Sequence, residues 1–329
     1  MPHKTHKSEE SKIYADKAQP KLKLTFFHPR YWLLWLIVGF WYVLILLPYP
    51  LLYKIGKGIG RLLLRLRPKI RIIDKRLKIA ERNLELCFPN WTDSERKALI
   101  EANCESVGLA IIETGMAWFW PDWRINKWCK VTGIEHIKET LAKPQGIMFV
   151  GIHFLNLELG GRIIGLQTPG IGIYRPNDNP VWDYLQVRGR MRSNKFMINR
   201  KDVKQMIRSL EEAEIIWYGP DHDYGKRNSV FAPFFGVQHA ATTLGTYILL
   251  KKTDSAVIAF TPKRLENGKG YEVIVSPPIQ SFPTENELQT ATKMNQLIEE
   301  QILLAPEQYM WLHRRFKTRP EGEADLYSK

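Results

Sequence analysis

Cysteine is scarce in this chain: 329 residues contain three, Cys87, Cys104 and Cys129. An odd number without C-x-x-C or zinc-ligand spacing argues against a disulfide framework and fits a reduced compartment. Several other signatures are missing. No G-x-G-x-x-G or Walker loop lies where a strand would meet a helix, no G-x-S-x-G elbow frames a serine, and no H-E-x-x-H is present. ATP or dinucleotide chemistry and a covalent acyl-enzyme are therefore not expected. A zinc set could be drawn from His153, Glu158, Asp221, His222 and Asp223, but it lacks a recognised ligand spacing, so neither metal nor cofactor is predicted. Acidic residues are the other shortage. Asp and Glu number 34 against 48 Lys and Arg, a formal charge of +14. That balance points to an anionic partner, whether membrane surface, phosphorylated lipid, acidic protein or nucleic acid.

Charge vanishes from Tyr31 to Tyr53. A run of about 23 residues could cross a bilayer, and Trp32, Trp35, Trp41, Tyr49 and Tyr53 suit an aromatic belt. Residues 29–53 are thus predicted to be a membrane anchor helix. It is expected to be retained, because a long polar leader precedes it and no small-residue cleavage site follows. Lysines and arginines flank it on both sides, so the positive-inside rule gives no orientation. Pro48 and Pro50 leave both a spanning and a half-inserted helix open. This segment argues against nucleic acid as the partner.

Around it, residues 1–28 read as a disordered basic arm. Residues 54–74, with Lys54, Lys57, Arg61 and Arg65 at helical spacing among aliphatics, read as a basic amphipathic helix on a membrane surface. Residues 75–329 form the main domain, helical over 75–140 and α/β over 141–329. Thr92-x-x-Glu95 is a capping box that starts a helix. The cluster Trp118-Phe-Trp-Pro-Asp-Trp123 reads either as core or as a wall for an apolar chain.

Beyond residue 145, short apolar runs alternate with polar turns and helical stretches, the pattern of an α/β fold. Each run ends in chemically useful residues: 147–152 in His153, 171–174 in Arg175, 196–198 in Asn199 and Arg200, 215–218 in Asp221 and His222, 257–261 in Lys263 and Arg264. Carboxyl ends of parallel strands line the usual site crevice of such folds. Glu158 follows His153 by five residues. Eight histidines and 34 acids in 329 residues yield about one such pair by chance, so its position at a strand end carries the weight. With His153 on the non-helical entry and Glu158 one turn into the next helix, the carboxylate could hold the imidazole as a general base for an external hydroxyl. Arg175, Arg188, Arg190, Arg192 and Arg200 surround the same edge and suit phosphate.

Seven stretches, among them Arg82-Asn-Leu-Glu-Leu-Cys-Phe-Pro89, Gly151-Ile-His-Phe-Leu-Asn-Leu-Glu-Leu-Gly160, Tyr174-Arg-Pro-Asn-Asp-Asn-Pro180, Pro220-Asp-His-Asp-Tyr-Gly225 and Pro306-Glu-Gln-Tyr-Met-Trp-Leu-His-Arg-Arg-Phe-Lys317, carry a resemblance. From about Phe27 to Glu321 the chain resembles the late acyltransferases of bacterial lipid A biosynthesis, whose members transfer lauroyl or palmitoleoyl groups. The resemblance implies a glycerolipid acyltransferase type of mixed sheet flanked by helices. It implies transfer from acyl-acyl carrier protein to a hydroxyacyl chain of Kdo2-lipid IVA at the cytoplasmic face of the inner membrane. It also assigns His153 as base and Glu158 as its orienting carboxylate, with Arg175, Arg200 and Asp221 at substrate-contacting positions. Glu158 in place of the commoner Asp, and Pro220-Asp-His-Asp in place of Phe-Pro-Glu-Gly, favour a lipid A acceptor over a lysophospholipid. Another phospholipid or glycolipid acceptor, or a non-catalytic anionic-lipid-binding protein, are the alternatives.

Overall fold

The computed structural model of the chain describes residues 20–328, so most of the basic arm expected over 1–28 lies outside the described residues. Its end is ordered into 3-10 turns at Leu24–Phe27 and Pro29–Tyr31, and His28 Nδ1 accepts from the Arg30 backbone N–H at 3.3 Å.

The uncharged run is not one helix. It divides into α1, Trp32–Leu44, and α2, Tyr49–Leu66, with Pro48 at the N-cap and Pro50 in the first turn of the second helix. Proline lacks an N–H and is tolerated there but not in a helix interior, so the chain stops and restarts. Thirteen residues of α1 rise only about 20 Å, against a hydrocarbon core of about 30 Å. No described helix is long and apolar enough to cross a membrane, which corrects the spanning form of the predicted anchor. What α1 does present is an apolar outer face: Leu33, Leu36 and Phe40 are 70–71% exposed, while Val38 and Trp41 are buried on its inner side.

The basic helix expected over 54–74 is likewise divided, between α2 and the start of α3, Arg71–Cys87. One face of α2 packs on α4, Asp93–Phe119, whose start carries the full Thr92–Glu95 capping box. Small residues let the two backbones meet. A Cβ on Gly60 would lie 2.2 Å from the Cys104 carbonyl oxygen, and one on Gly108 would lie 2.2 Å from that of Gly56. Lys57 and Arg61 reach across to Glu105 at 2.8 and 2.7 Å.

A seven-stranded sheet in the order β1-β9-β8-β2-β5-β3-β4 forms the body. Its strands are β1 (Cys129–Thr132), β2 (Ile147–Val150), β3 (Gly170–Tyr174), β4 (Asn194–Asn199), β5 (Ile215–Tyr218), β8 (Ala256–Arg264) and β9 (Tyr271–Val275). All neighbours are parallel except β8 and β9. β1 arises within the part read as helical, 75–140. Helices α5 (Asp122–Trp128) and α6 (Ile134–Leu141) flank that strand; α7 (Leu157–Gln167), α8 (Pro180–Arg190) and α9 (Val203–Glu211) are crossovers between parallel strands. A separate hairpin, β6 (Ser229–Phe234) with β7 (Val237–Thr243), precedes α10 (Gly245–Lys252), and α11 (Glu287–Leu303) lies against it. The architecture is α/β, a mostly parallel mixed sheet flanked by helices, with β2 buried at every position.

Candidate active site

Buried β2 lies between β8 and β5, and beyond Val150 the chain runs through Gly151 and Ile152 to His153. Gly151 is squeezed by two rings: a Cβ there would meet Phe260 Cε1 at 2.1 Å and Trp217 Nε1 at 2.3 Å. In the parallel ladder Val150 faces Tyr218. Three residues past this last paired position on each side stand His153 and Asp221, 68 residues apart in the chain. His153 Nδ1 lies 2.7 Å from Asp221 Oδ1, and the His153 backbone N–H donates to Oδ2 at 3.0 Å. The Tyr309 hydroxyl also donates to Oδ2, at 3.1 Å.

Asp221 is fully buried. Burial would raise its pKa, but His153, through charge and hydrogen bonds, and His222 outweigh it and hold the carboxyl well below the usual range. An ionised carboxylate can only accept, so Nδ1 carries a hydrogen and Nε2 is the nitrogen left for a substrate. Such an arrangement can serve as a general base. Tyr309 stays protonated, its pKa pushed far up by burial and by Asp221.

Glu158 does not hold the imidazole. In the first turn of α7 it points towards α8, where Arg190 Nη2 and Nε donate to it, the latter at 3.1 Å, and Trp118 Nε1 donates at 3.1 Å. Burial raises the Glu158 pKa, yet the Arg190 guanidinium draws it below the ordinary carboxylate value. The expected histidine–glutamate contact is thus replaced by a histidine–aspartate one, because the strand register, not chain proximity, sets the neighbour. Arg190, expected to bind substrate, has its fork engaged with Glu158. Arg192 is also turned inward, donating from Nη1 to the Trp118 carbonyl at 2.7 Å and lying 3.8 Å from Asp122.

Arg175 and Arg200 remain open on the edge that carries His153. Arg175 is 63% exposed and 3.7 Å from Asp178; Arg200 is exposed just after β4. β3 and β4 are the second and third strands from β2, placing these positions about 10 and 15 Å along the edge. Arg264 leaves the site altogether: it is buried on Glu113 at 2.6 and 2.9 Å and on Ser106 at 3.0 Å, and Tyr271 completes that cluster.

Two further rings were not anticipated in this role. His222 stacks on His153 with centroids 3.6 Å apart and planes 14° apart, and His313 stacks on His222 at 4.1 Å and 21°. His153, Asp221 and His222 crowd together as a metal cluster would. The two imidazoles, however, lie face to face, and near-parallel rings share no in-plane point where one ion could meet both lone pairs. Residues 306–318 brace the site. Leu155 donates to the Gln308 carbonyl at 2.7 Å, Met310 to the His153 carbonyl at 3.2 Å, and Thr318 to Asp223 through N–H and hydroxyl, both at 2.8 Å.

A cavity is lined by Phe149, Leu157, Ile164, Ile173, Met197 and Ile215 among others. Trp217 and Phe260, the rings on Gly151, form part of its wall, and the Glu158–Arg190 pair sits in it. The Trp217 ring is 6.0 Å from that of His153.

An α/β scaffold with an aspartate-backed histidine on its carboxyl edge and a largely apolar cavity close by suits an enzyme whose substrate has an apolar chain. Residues 19–318 match the bacterial lipid A biosynthesis acyltransferase family, and the chain belongs to it. It is 53% identical over 308 residues to the lipid A biosynthesis lauroyltransferase of Escherichia coli (strain K12), covering 94% of this chain and 99% of that protein. It is 46% identical over 309 residues to the palmitoleoyltransferase of the same organism, with 94% and 99% covered, and 27% identical over 329 residues to its myristoyltransferase, with 97% and 98% covered. The protein is an acyltransferase of lipid A biosynthesis.

Proposed function

We propose that the donor is an acyl-acyl carrier protein and the acceptor a hydroxyl on a hydroxyacyl chain of Kdo2-lipid IVA. His153 Nε2 takes the hydroxyl proton while the oxygen attacks the thioester carbonyl. Collapse of the tetrahedral centre breaks the carbon–sulfur bond and forms the ester, and the imidazolium returns its proton to the departing thiolate. Asp221 keeps Nδ1–H in place throughout. The observation that carries this reading is the cavity walled by Trp217 and Phe260, the two rings on Gly151: its largely apolar lining suits an acyl chain, and the Trp217 ring stands 6.0 Å from that of the base.

Charge supports both partners. A net +14 suits an acidic carrier protein and a phosphorylated acceptor, and Arg175 and Arg200 are the exposed arginines available to phosphate on the active edge. The apolar face of α1, followed by the exposed Lys54, Arg61 and Arg65 of α2, suits a helix lying in the interface of the inner membrane at its cytoplasmic face, without crossing it.

Purified protein mixed with lipid IVA, with and without Kdo, and a ladder of acyl-carrier-protein donors tests the proposal by product mass. One added acyl chain is expected, with His153→Ala reduced about 10²- to 10⁴-fold. Absence of any mass gain would point to a lipid-binding role, and gain on other lipids alone to another acceptor.

A further inference from the structure

We propose that His222 is a positioning residue for the base, the middle ring of a three-imidazole column, His153–His222–His313, that fixes the plane of His153 and supports it when it becomes charged. The inference rests on His153 acting as the base. A single hydrogen bond at Nδ1 leaves the imidazole free to tilt about that contact, and tilting swings Nε2. The His222 ring, 3.6 Å away and within 14° of parallel, is a flat wall along one face, and the Trp217 ring stands edge-on to it at 6.0 Å and 75°. His222 follows Asp221 in the chain, so the loop that supplies the carboxylate supplies the wall.

For such a wall to help, it must stay uncharged beside an imidazolium. His222 is surrounded by His153, Asp221, His313 and Arg315, with Lys317 beyond His313. Burial first, then the charge of His153, lowers its pKa to about 3 against the pull of Asp221. His313 is lowered in the same direction, by burial and by Lys317. A neutral ring offers its π face to a cation, whereas a charged one would repel it.

The Nε2 atoms of both His222 and His313 are buried without a hydrogen-bond partner among the described residues. Their contribution comes through ring faces. The outer ring is held by the segment that also brings Tyr309 to Asp221: the His313 backbone N–H donates to the Met310 carbonyl at 3.3 Å, and Met310 N–H to the His153 carbonyl at 3.2 Å.

The test compares His222→Leu, which fills the space without a flat ring, with His222→Phe, which restores the ring without nitrogens, alongside His153→Ala. kcat, KM for donor and acceptor, the pH profile of kcat/KM and thermal unfolding are measured for each. His222→Leu is expected to lose about tenfold or more in kcat with KM nearly unchanged. His222→Phe should recover most of that loss and keep the acid limb of wild type, since His222 does not titrate there. Equal impairment of Phe and Leu variants that still melt as wild type does, a wild-type kcat in His222→Leu, or a loss confined to KM would overturn the proposal. An active His153→Ala would instead remove the base reading on which it rests.

Discussion

Five positions separate His153 from Glu158, yet the carboxylate on its ring comes from 68 residues away. The first turn of α7 aims Glu158 across to Arg190 and Trp118, into the wall of the cavity. Glu158→Gln should therefore act first on stability. Leaving the Arg190 charge without its partner costs about 3 kcal/mol for a pair that is only partly exposed, and Glu158→Gln/Arg190→Met should recover part of the loss because both charges are gone. Denaturant unfolding of the two single variants and the double variant checks this, and strictly additive losses would deny the pairing. His153 and Asp221 were both legible, since each ends an apolar run that reads as a buried strand. Which carboxylate serves the histidine was not legible, because that depends on ladder register, to which composition and spacing are blind. The stacking of His222 and His313 was hidden for the same reason: two rings that touch stand 91 positions apart in the chain.

At the scale of elements, periodicity found the helices, and proline showed where the apolar run could bend. It did not show that α1 and α2 would separate into two helices, nor that Gly56 and Gly60 form the face that meets α4. Gly60→Leu is expected to destabilise the protein by about 1–3 kcal/mol or more, as overpacking does, since even a Cβ would lie 2.2 Å from the Cys104 carbonyl oxygen. A lowered midpoint in thermal or denaturant unfolding checks it, and an unchanged midpoint would mean that the two helices can move apart at no cost. β1 escaped notice because it is four residues long and half-exposed in alternation at the sheet edge. So short a run between helical stretches offers little to distinguish it.

For the whole molecule, charge pointed to an anionic partner without choosing among lipid, protein and nucleic acid, and the uncharged segment turned the reading towards lipid; the family bears out a lipid A-type acceptor. The fold changes how the proposed membrane contact is made. Leu36 and Phe40 are each 71% exposed on α1, so Leu36→Asp/Phe40→Asp should leave unfolding nearly unchanged while weakening association with vesicles. Co-sedimentation with anionic phospholipid vesicles checks it; undiminished binding would place the contact elsewhere on the surface.

The equal three-residue steps from the paired ends of β2 and β5, Val150 to His153 and Tyr218 to Asp221, have a consequence for how this enzyme can vary. Because the ladder rather than the length of chain sets the distance between base and carboxylate, the excursions through α7, α8 and α9 can lengthen, shorten or be exchanged without disturbing the pair. A slip of β5 by a single position has the opposite character. It would offer His153 either Pro220 or His222 in place of Asp221, and leave every crossover intact around a site with no anion to hold the imidazole.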